Sequence, residues 1–369
     1  MSIASSIERK TAPAGVRAAR GSLLLAAFLI AIFFGVACLA LTIGRYPLHL
    51  RDIVEFFAAA ANLIPMPADR YDLLHNVIIE IRLPRILGAG FVGAALAVSG
   101  AAYQSVFRNP LVSPGLLGVL GGASFGAALA ILISGKWFII QLLAFLFGLF
   151  AVMLGLGIAH LVGPASIITL VLGGMISGAF FTAALSILKY MADPYDQLPA
   201  IVYWLMGSLG GVDLRQVIWL GPPVVIGIMI LSGLGRALDA LSMGEDEARS
   251  LGVPVEAVRY GVIALATFVS ALSVSIAGMI GWVGLIVPHF ARMIVGPCNA
   301  RLLPVSAIFG AIFLICADCL ARTIGQAEIP IGIMTELLAR LWPKIIVLIG
   351  FAGCETLDRF RQSHKRSRA

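Results

Sequence analysis

The chain has 369 residues, of which 60% are hydrophobic and 12% are charged, and its formal net charge is +7. Soluble domains contain about 25% charged residues, so this composition excludes an ordinary soluble protein. The basic residues lie mainly in the two tails and in loops beside apolar runs, which indicates membrane orientation rather than nucleic-acid binding. The sequence therefore predicts an all-α polytopic membrane protein.

The first apolar run follows a basic segment at residues 1–21. Residues 22–43 carry no charged side chain, and this run is long enough to cross about 30 Å of hydrocarbon. It is also longer than the apolar core of a signal peptide. We expect it to be the first span, entering from the cytoplasm. Residues 44–81 are mixed in polarity and are expected outside, as a short amphipathic helix and a loop.

Nine further apolar runs follow, each near the length that a bilayer requires. They cover residues 85–107, 116–134, 138–161, 166–190, 214–234, 259–279, 282–296, 304–323 and 331–351. A total of about ten spans puts both termini on one side of the membrane. The basic C-terminal tail, residues 352–369, predicts that this side is the cytoplasm. Residues 22–351 would then form a single transmembrane domain.

The loop at 236–258 is an internal stretch with the composition of a water-facing segment. Ser242 and Glu245 have the spacing of a capping box, and the first turn after them is acidic. Gly252 supplies a left-handed terminating position, and the proline two residues later prevents continuation. These signals predict a short helix over 243–251. A helix of about nine residues is marginal alone in water, so it must dock, either on its own chain or on another protein.

Two arginines lie at the outer mouth of the second span, where the orientation signal does not favour positive charge. Arg82 and Arg85 belong to the motif RLPR, and Arg322 lies one helical turn beyond Asp318 at the outer end of a later span. They could anchor to lipid headgroups. They could equally pair with carboxylates of an outside partner, because a guanidinium offers bidentate hydrogen bonding.

Two other segments interrupt helices. Residues 108–118, RNPLVSPGLLG, contain two prolines and two glycines and predict a turn at the cytoplasmic surface. Residues 278–294, GMIGWVGLIVPHFARMI, predict a broken or short span. His289 in that segment has no second ligand at metal-binding spacing, so we interpret it as a packed histidine and predict no metal site.

The fifth span and the segment after it contain candidate pathway residues. Ser177 and Thr182 could line a pathway, but helix packing is the favoured interpretation for each. Trp204 suits an interfacial position. Residues 91–101 and 268–278 are also similar in sequence and are expected to run in opposite directions, as in an inverted repeat relating spans 2–5 to spans 7–10.

The segments MGEDEARSLGV, NPLVSPGLLG, YWLMGSLGGVDLRQ and GMIGWVGLIVPH together resemble the FecCD-type permeases of type II ABC importers, which carry iron-siderophores, haem or cobalamin. The resemblance covers residues 81–338. It implies the type II importer permease fold, a homodimer in the bacterial inner membrane, two cytoplasmic ABC ATPase subunits and a periplasmic substrate-binding protein. ATP and Mg²⁺ would bind the partner subunit, because this chain has no GxxxxGK[ST] loop and is expected to be neither an enzyme nor a cofactor-binding subunit.

The same resemblance implies roles for particular residues. Coupling to the ATPase falls on Ser242, Gly244, Glu245, Ala248, Arg249, Leu251 and Gly252. Docking of the binding protein falls on Arg82, Arg85 and Arg322. A cytoplasmic gate falls on Asn109, Leu111, Ser166 and Ile167. The candidate pathway residues are Ser177, Thr182 and Trp204.

Two other functions are weighed against the importer. A secondary transporter driven by ion gradients predicts ionisable residues in mid-membrane, and few are present. A membrane-embedded enzyme predicts clustered His, Asp or Glu residues, which the sequence lacks. The last span departs from the family pattern because Arg340 and Lys344 would lie deep in the bilayer, where Glu336 has the spacing to pair with Arg340. The residues do not identify the chelate.

Overall fold

The computed structural model describes residues 14–163, 166–325 and 327–341. Within these residues the chain is all helical, without a strand. The predicted C-terminal tail, the second half of the last predicted span and most of the predicted N-terminal tail lie outside the described residues.

Ten of the described helices match the predicted spans in order. They are α1 (Ala14–Thr42), α4 (Leu83–Val106), α5 (Val119–Ile133), α6 (Trp137–Val162), α7 (Ile167–Met191), α9 (Leu214–Gly233), α12 (Val255–Ala277), α13 (Val283–Val295), α14 (Asn299–Thr323) and α15 (331–341). Five shorter helices connect them: α2 (Leu50–Ala60), α3 (Ala68–His75), α8 (Gln197–Met206), α10 (Gly235–Met243) and α11 (Glu245–Ser250). Within the described ranges, six helical runs are long and apolar enough to cross a membrane.

The outer segment before α4 holds more structure than the predicted single helix and loop. It contains α2, α3 and a π-helical turn, Asn76–Arg82, and the helical run continues without a break from Ala68 to Val106. Phe56 and Ile78 pack in its small apolar core. The helical run that contains the second predicted span therefore begins at Ala68 instead of at residue 85.

Helix α4 lies at the centre of the bundle and is the most buried of the six long spans. Small residues let other helices approach its backbone. A Cβ on Gly93 would lie 2.2 Å from the carbonyl oxygen of Gly310 in α14, and a Cβ on Gly100 would lie 1.9 Å from that of Gly284 in α13. Close contact through glycine suits a membrane bundle, where the hydrophobic effect between spans is weak.

Helix α12 packs against α4 in the opposite direction, as predicted for the two similar segments. Near the end of α4, Tyr103 makes a buried 2.6 Å hydrogen bond with Thr267, in the middle of α12. Nearer the outer side, Ala95 packs with Val269 and Leu272. The two halves of the bundle therefore meet along an antiparallel pair of buried helices.

The predicted break before α13 is confirmed. Residues 278–281 are not helical, and α13 has only 13 residues. Gly278 has φ +72°, and a Cβ there would lie 2.4 Å from the carbonyl oxygen of Trp204, so the break packs directly on the end of α8.

The packed-histidine prediction is wrong, because His289 is exposed on α13. The predicted Glu336 to Arg340 pair is present at 2.5 Å.

Candidate functional site

The water-facing helix α11 begins later than predicted, at Glu245, and Gly244 precedes it as the cap. Gly244 has φ +154° and ψ 158°, a backbone conformation that residues with a Cβ rarely adopt, so this position requires glycine. The predicted capping box is wrong. Ser242 lies in α10 and donates to the carbonyl of Leu238 at 2.8 Å, because a serine hydroxyl can bond back to its own helix instead of capping the next.

The end of α11 follows the prediction. Gly252 has φ +78°, and its N–H donates to the carbonyl of Arg249 at 3.0 Å. The N–H of Val253 donates to the carbonyl of Ala248 at 3.0 Å. This pair of bonds is a Schellman motif, and Pro254 follows it before α12 begins. Both ends of α11 are therefore fixed by local backbone geometry.

Helix α11 has one buried face and one exposed face. Ala248 is fully buried against the chain, whereas Asp246 and Arg249 are exposed. The apolar side chains of Met243 and Leu251, on either side of the helix, are 63% and 62% exposed. Exposed apolar groups beside charged ones at a water-facing end form a surface suited to docking another protein.

Glu245 connects this helix to the bundle. Its carboxylate forms an ion pair with the buried guanidinium of Arg259 in α12 and lies 3.9 Å from Nη2 of Arg108, just beyond the end of α4. Sequence reasoning missed Arg259. The available signal was a charge in the first turns of an apolar span, where a charge requires a partner.

Helix α10 is also locked to the bundle. The N–H of Asn299, at the start of α14, donates to Asp239 in α10 at 2.5 Å, and the Asn299 side chain bonds Ser105 in α4 at 2.5 Å. A Cβ on Gly235 would lie 2.6 Å from Cα of Ala300. These three contacts hold α10, α14 and α4 together beside α11, and no local pattern in the sequence indicates them.

The first predicted gate segment is a tight turn after α4. Oδ1 of Asn109 accepts the N–H of Leu111 at 2.9 Å, and the N–H of Asn109 donates to the carbonyl of Gln104 at 3.1 Å. The side chain of Leu111 is 71% exposed. The turn thus presents an apolar side chain next to Arg108, the residue close to Glu245.

The second predicted gate segment is the start of α7. Ser166 is the cap of that helix, and its hydroxyl accepts the N–H of Thr169 at 3.1 Å. Ile167 packs against the same apolar cluster as Val112 of the first segment. No hydrogen bond between described residues joins Ser166 or Ile167 to Asn109, so an apolar cluster alone relates the two segments.

Arg82 at the outer end is buried, not free at the surface. Its guanidinium donates to the backbone carbonyls of Leu41, at the end of α1, and Tyr46. It therefore ties the outer end of the first span to that of the second.

Arg85 and Arg322 share a buried carboxylate. Nε of Arg85 donates to Asp318 at 2.8 Å, and Nε of Arg322 lies 3.0 Å from the other oxygen of Asp318. Nη1 of Arg85 donates to Glu328 at 2.9 Å, in the segment before α15. Both arginines and Asp318 are buried, whereas the Glu328 side chain is 36% exposed. The network joins α4, α14 and the segment leading to α15.

The three candidate pathway residues lie in different settings. Ser177 is fully buried and donates to the carbonyl of Ala151 in α6 at 2.5 Å, so it packs between helices and does not belong to the exposed face of α7. Thr182 is exposed and donates to the carbonyl of Gly178 in its own helix at 2.8 Å. Trp204 is buried beside a cavity of about 610 Å³, and its indole N–H has no partner among the described residues.

A many-spanning helical bundle with a short docking helix on a water-facing loop is the architecture of a transporter permease. A sequence profile of the FecCD transport family matches residues 27–348. The chain belongs to that family and is an ABC transporter permease that crosses the membrane several times. The match extends beyond the resemblance found by sequence reasoning, at residues 81–338, at both ends.

Individual relatives agree with this assignment. The molybdate import system permease protein MolB of Haemophilus influenzae is 39% identical over 302 residues, covering 82% of this chain and 88% of that protein. The cobalamin import system permease protein BtuC of Halobacterium salinarum is 40% identical over 263 residues, covering 71% and 70%. A solved inward-facing ABC transporter, provisionally assigned to the metal-chelate type, superposes with a TM-score of 0.76 at 37% identity, covering 87% of this chain and 97% of that one.

Proposed function

We propose that the chain is the permease of an importer that carries a metal chelate, of the iron-siderophore, haem or cobalamin class, from the periplasm to the cytoplasm. Two copies would form the pathway in the bacterial inner membrane, with two ATPase subunits inside and a binding protein outside. ATP and Mg²⁺ would bind the ATPase, and this chain would hold no cofactor. Both termini and α11 would face the cytoplasm.

The observation that carries this proposal is the position of α11. Exposed Met243 and Leu251 flank the helix and are available to a partner, and the first residue of the helix, Glu245, pairs with Arg259 of a central span. A partner that moved α11 would therefore pull on α12 directly. The same carboxylate lies near Arg108, the residue before the turn of Asn109, so the displacement would also reach the proposed gate.

The proposed coupling surface comprises the exposed residues of this loop and the residues that fix it. The exposed members are Ser242, Arg249, Leu251 and Gly252, and the fixing members are Gly244, Glu245 and Ala248. The cytoplasmic gate would comprise Leu111 and Ile167, positioned by the turn of Asn109 and the helix cap of Ser166.

A chelate is the favoured substrate because α7 offers a broad uncharged face. Residues 166–188 contain no charged side chain, and Met175, Ile176 and Phe180 are exposed on the helix with Thr182. Such a face matches the apolar surface of a bulky chelate better than it matches a small hydrated anion. The hemin transport permease HmuU of Yersinia pestis, 37% identical over 280 residues, is one relative of this kind.

Molybdate is the second candidate, because MolB is 39% identical along most of both chains. The two substrates are separated by ATP hydrolysis of the reconstituted complex with its binding protein. A chelate should stimulate hydrolysis under the chelate proposal, and molybdate should not. Stimulation by molybdate alone would overturn the chelate assignment and leave the importer assignment intact.

The outer arginines are proposed to dock the binding protein. Arg85 and Arg322 are buried in the isolated chain, so a docking carboxylate would have to take the place of Glu328, the exposed partner of Arg85. Arg82 would act by holding the outer end of α1 in position.

The importer proposal is tested at α11. Replacing Met243 and Leu251 by Asp should release the ATPase during purification and abolish uptake into proteoliposomes. The matched control is Leu63→Asp, which changes a leucine that is 77% exposed in the segment before α4. Uptake that persists without ATP, or an ATPase that stays bound to the double variant, would refute the proposal.

A further inference from the structure

A groove of about 650 Å³ opens between the outer ends of α6 and α9, and α12 forms its floor. Phe138 and Leu142 line one wall, Trp219 lines the other, and Leu272 lies at the bottom. Phe138 and Trp219 are strongly exposed. In a membrane this groove faces the acyl chains, so an aliphatic chain is the kind of group that fits it.

One cation lies at the mouth of the groove. Arg215, in the first turn of α9, is exposed, and no described carboxylate lies within ion-pair distance of it. The nearby Asp213 is already engaged, because its Oδ1 accepts the N–H of Gln216 at 2.6 Å and caps α9. Asp213 keeps its negative charge, but the guanidinium of Arg215 forms no ion pair with a described carboxylate, so its N–H groups are available to a phosphate.

Arg215 and Gln141 lie at different depths along the two helices, and these depths match those of the phosphate and the ester carbonyls of a phospholipid. Helix α6 begins at Trp137 and α9 begins at Leu214, so the mouth lies where both spans start, and tryptophans favour that interface. Gln141 lies about one turn further along α6, roughly 6 Å deeper. Gln141 lines the groove, and its Nε2 is buried without a hydrogen-bond partner among the described residues. A phospholipid has its ester carbonyls one step below its phosphate, at the level of this amide.

We propose that this groove binds one phospholipid of the outer leaflet. The phosphate contacts Arg215, an ester carbonyl accepts from Gln141, and one acyl chain lies along Phe138, Leu142 and Leu272. A free anion would satisfy Arg215 but would leave the apolar floor uncovered. The bound lipid fills the space between α6 and α9, two helices that both pack on α12, and so completes the packing of the outer half of the bundle.

The experiment is native mass spectrometry of the delipidated chain in detergent, titrated with dioleoylphosphatidylglycerol. The wild type should bind one lipid tightly, and Arg215→Ala should weaken that binding at least five-fold. Leu142→Trp, which fills the groove without changing its charge, should weaken it as well. The control is Arg301→Ala, an exposed arginine at the inner end of α14, which should bind lipid like the wild type.

Two further measurements identify the occupant. A photoactivatable diazirine acyl chain should crosslink to peptides of α6, α9 and α12, and inorganic phosphate at millimolar concentration should not displace the lipid. Equal lipid affinity in the wild type, Arg215→Ala and Leu142→Trp would overturn the proposal. Displacement by phosphate would overturn it in favour of a free-anion site. A disulfide between two copies of Phe138→Cys would show that a second chain covers the groove, which would also overturn it.

Discussion

Arg259 is buried near the start of α12 and forms an ion pair with Glu245, the first residue of α11. Nε of Arg259 has no hydrogen-bond partner among the described residues. Among those residues, the carboxylate of Glu245 is the one counter-ion of this buried guanidinium. The pair therefore determines how firmly the docking helix is held to a central span.

Removing the carboxylate should destabilise the protein. In Glu245→Gln, the guanidinium of Arg259 stays buried without a counter-ion, and we expect the free energy of unfolding to fall by about 2 to 3 kcal/mol. The measurement is thermal unfolding in detergent. Uptake by the reconstituted complex should fall together with stability, because α11 then loses its ion pair with α12.

Two control variants change Arg259, the ion-pair partner, and Asp246, the residue next to Glu245. Glu245→Gln combined with Arg259→Met removes both charges and should recover most of the lost stability, because no unpaired charge remains. Asp246→Asn changes an exposed carboxylate and should alter stability by less than about 0.5 kcal/mol. Additive losses in the double variant would show that the two residues do not act as a pair.

The glycine before α11 should be irreplaceable. Gly244→Ala imposes a Cβ on a backbone with φ +154° and ψ 158°, so we expect a loss of about 2 kcal/mol and a reoriented helix. The readout is crosslinking between Leu251→Cys and a cysteine on the ATPase, together with thermal stability. Gly261→Ala is the matched control, since that glycine lies in α12 with open space around it, and it should stabilise the chain by about 0.5 kcal/mol. Similar losses in the two variants would contradict the steric explanation.

The sequence predicted the features that local chemistry determines. Gly252 and Pro254 end α11 through backbone conformation alone, so their signal is complete within a few residues. The capping box failed because Ser242 had a competing acceptor, the carbonyl of Leu238, in its own helix. The S-x-x-E pattern contains no information about that alternative.

Contacts between distant parts of the chain could not be predicted. Arg85 was recognised as unusual, but its partners lie 233 and 243 residues further along, and one sequence does not show which helices meet. The contact of Gly93 with Gly310 is invisible for the same reason. The number and order of the spans were predictable, because each span must satisfy its own backbone and match the bilayer.

The contact between α10 and α14 should depend on one hydrogen-bond acceptor, the carboxylate of Asp239. Asp239→Ala leaves the N–H of Asn299 without its partner, and we expect a loss of about 1 to 2 kcal/mol. Asp239→Asn keeps an oxygen in the same place and should retain at least half of that stability. The measurement is thermal unfolding with hydrogen exchange in the first turn of α14. Faster exchange there in Asp239→Ala, and not in Asp239→Asn, is the expected signature, whereas equal exchange would remove the assigned role.

The two carboxylates around Arg85 should respond differently to neutralisation. Asp318→Asn leaves two buried arginines without their shared carboxylate, so we expect a loss of about 3 to 5 kcal/mol or failure to fold. Glu328→Gln removes a partly exposed partner and should change stability by less than about 1 kcal/mol. If the binding protein docks by replacing Glu328, then Glu328→Gln should bind it several-fold more tightly, because Nη1 of Arg85 is already free. Surface plasmon resonance in nanodiscs at two salt concentrations measures this affinity. An unchanged or weaker affinity, with stability preserved, would show that docking does not use Arg85.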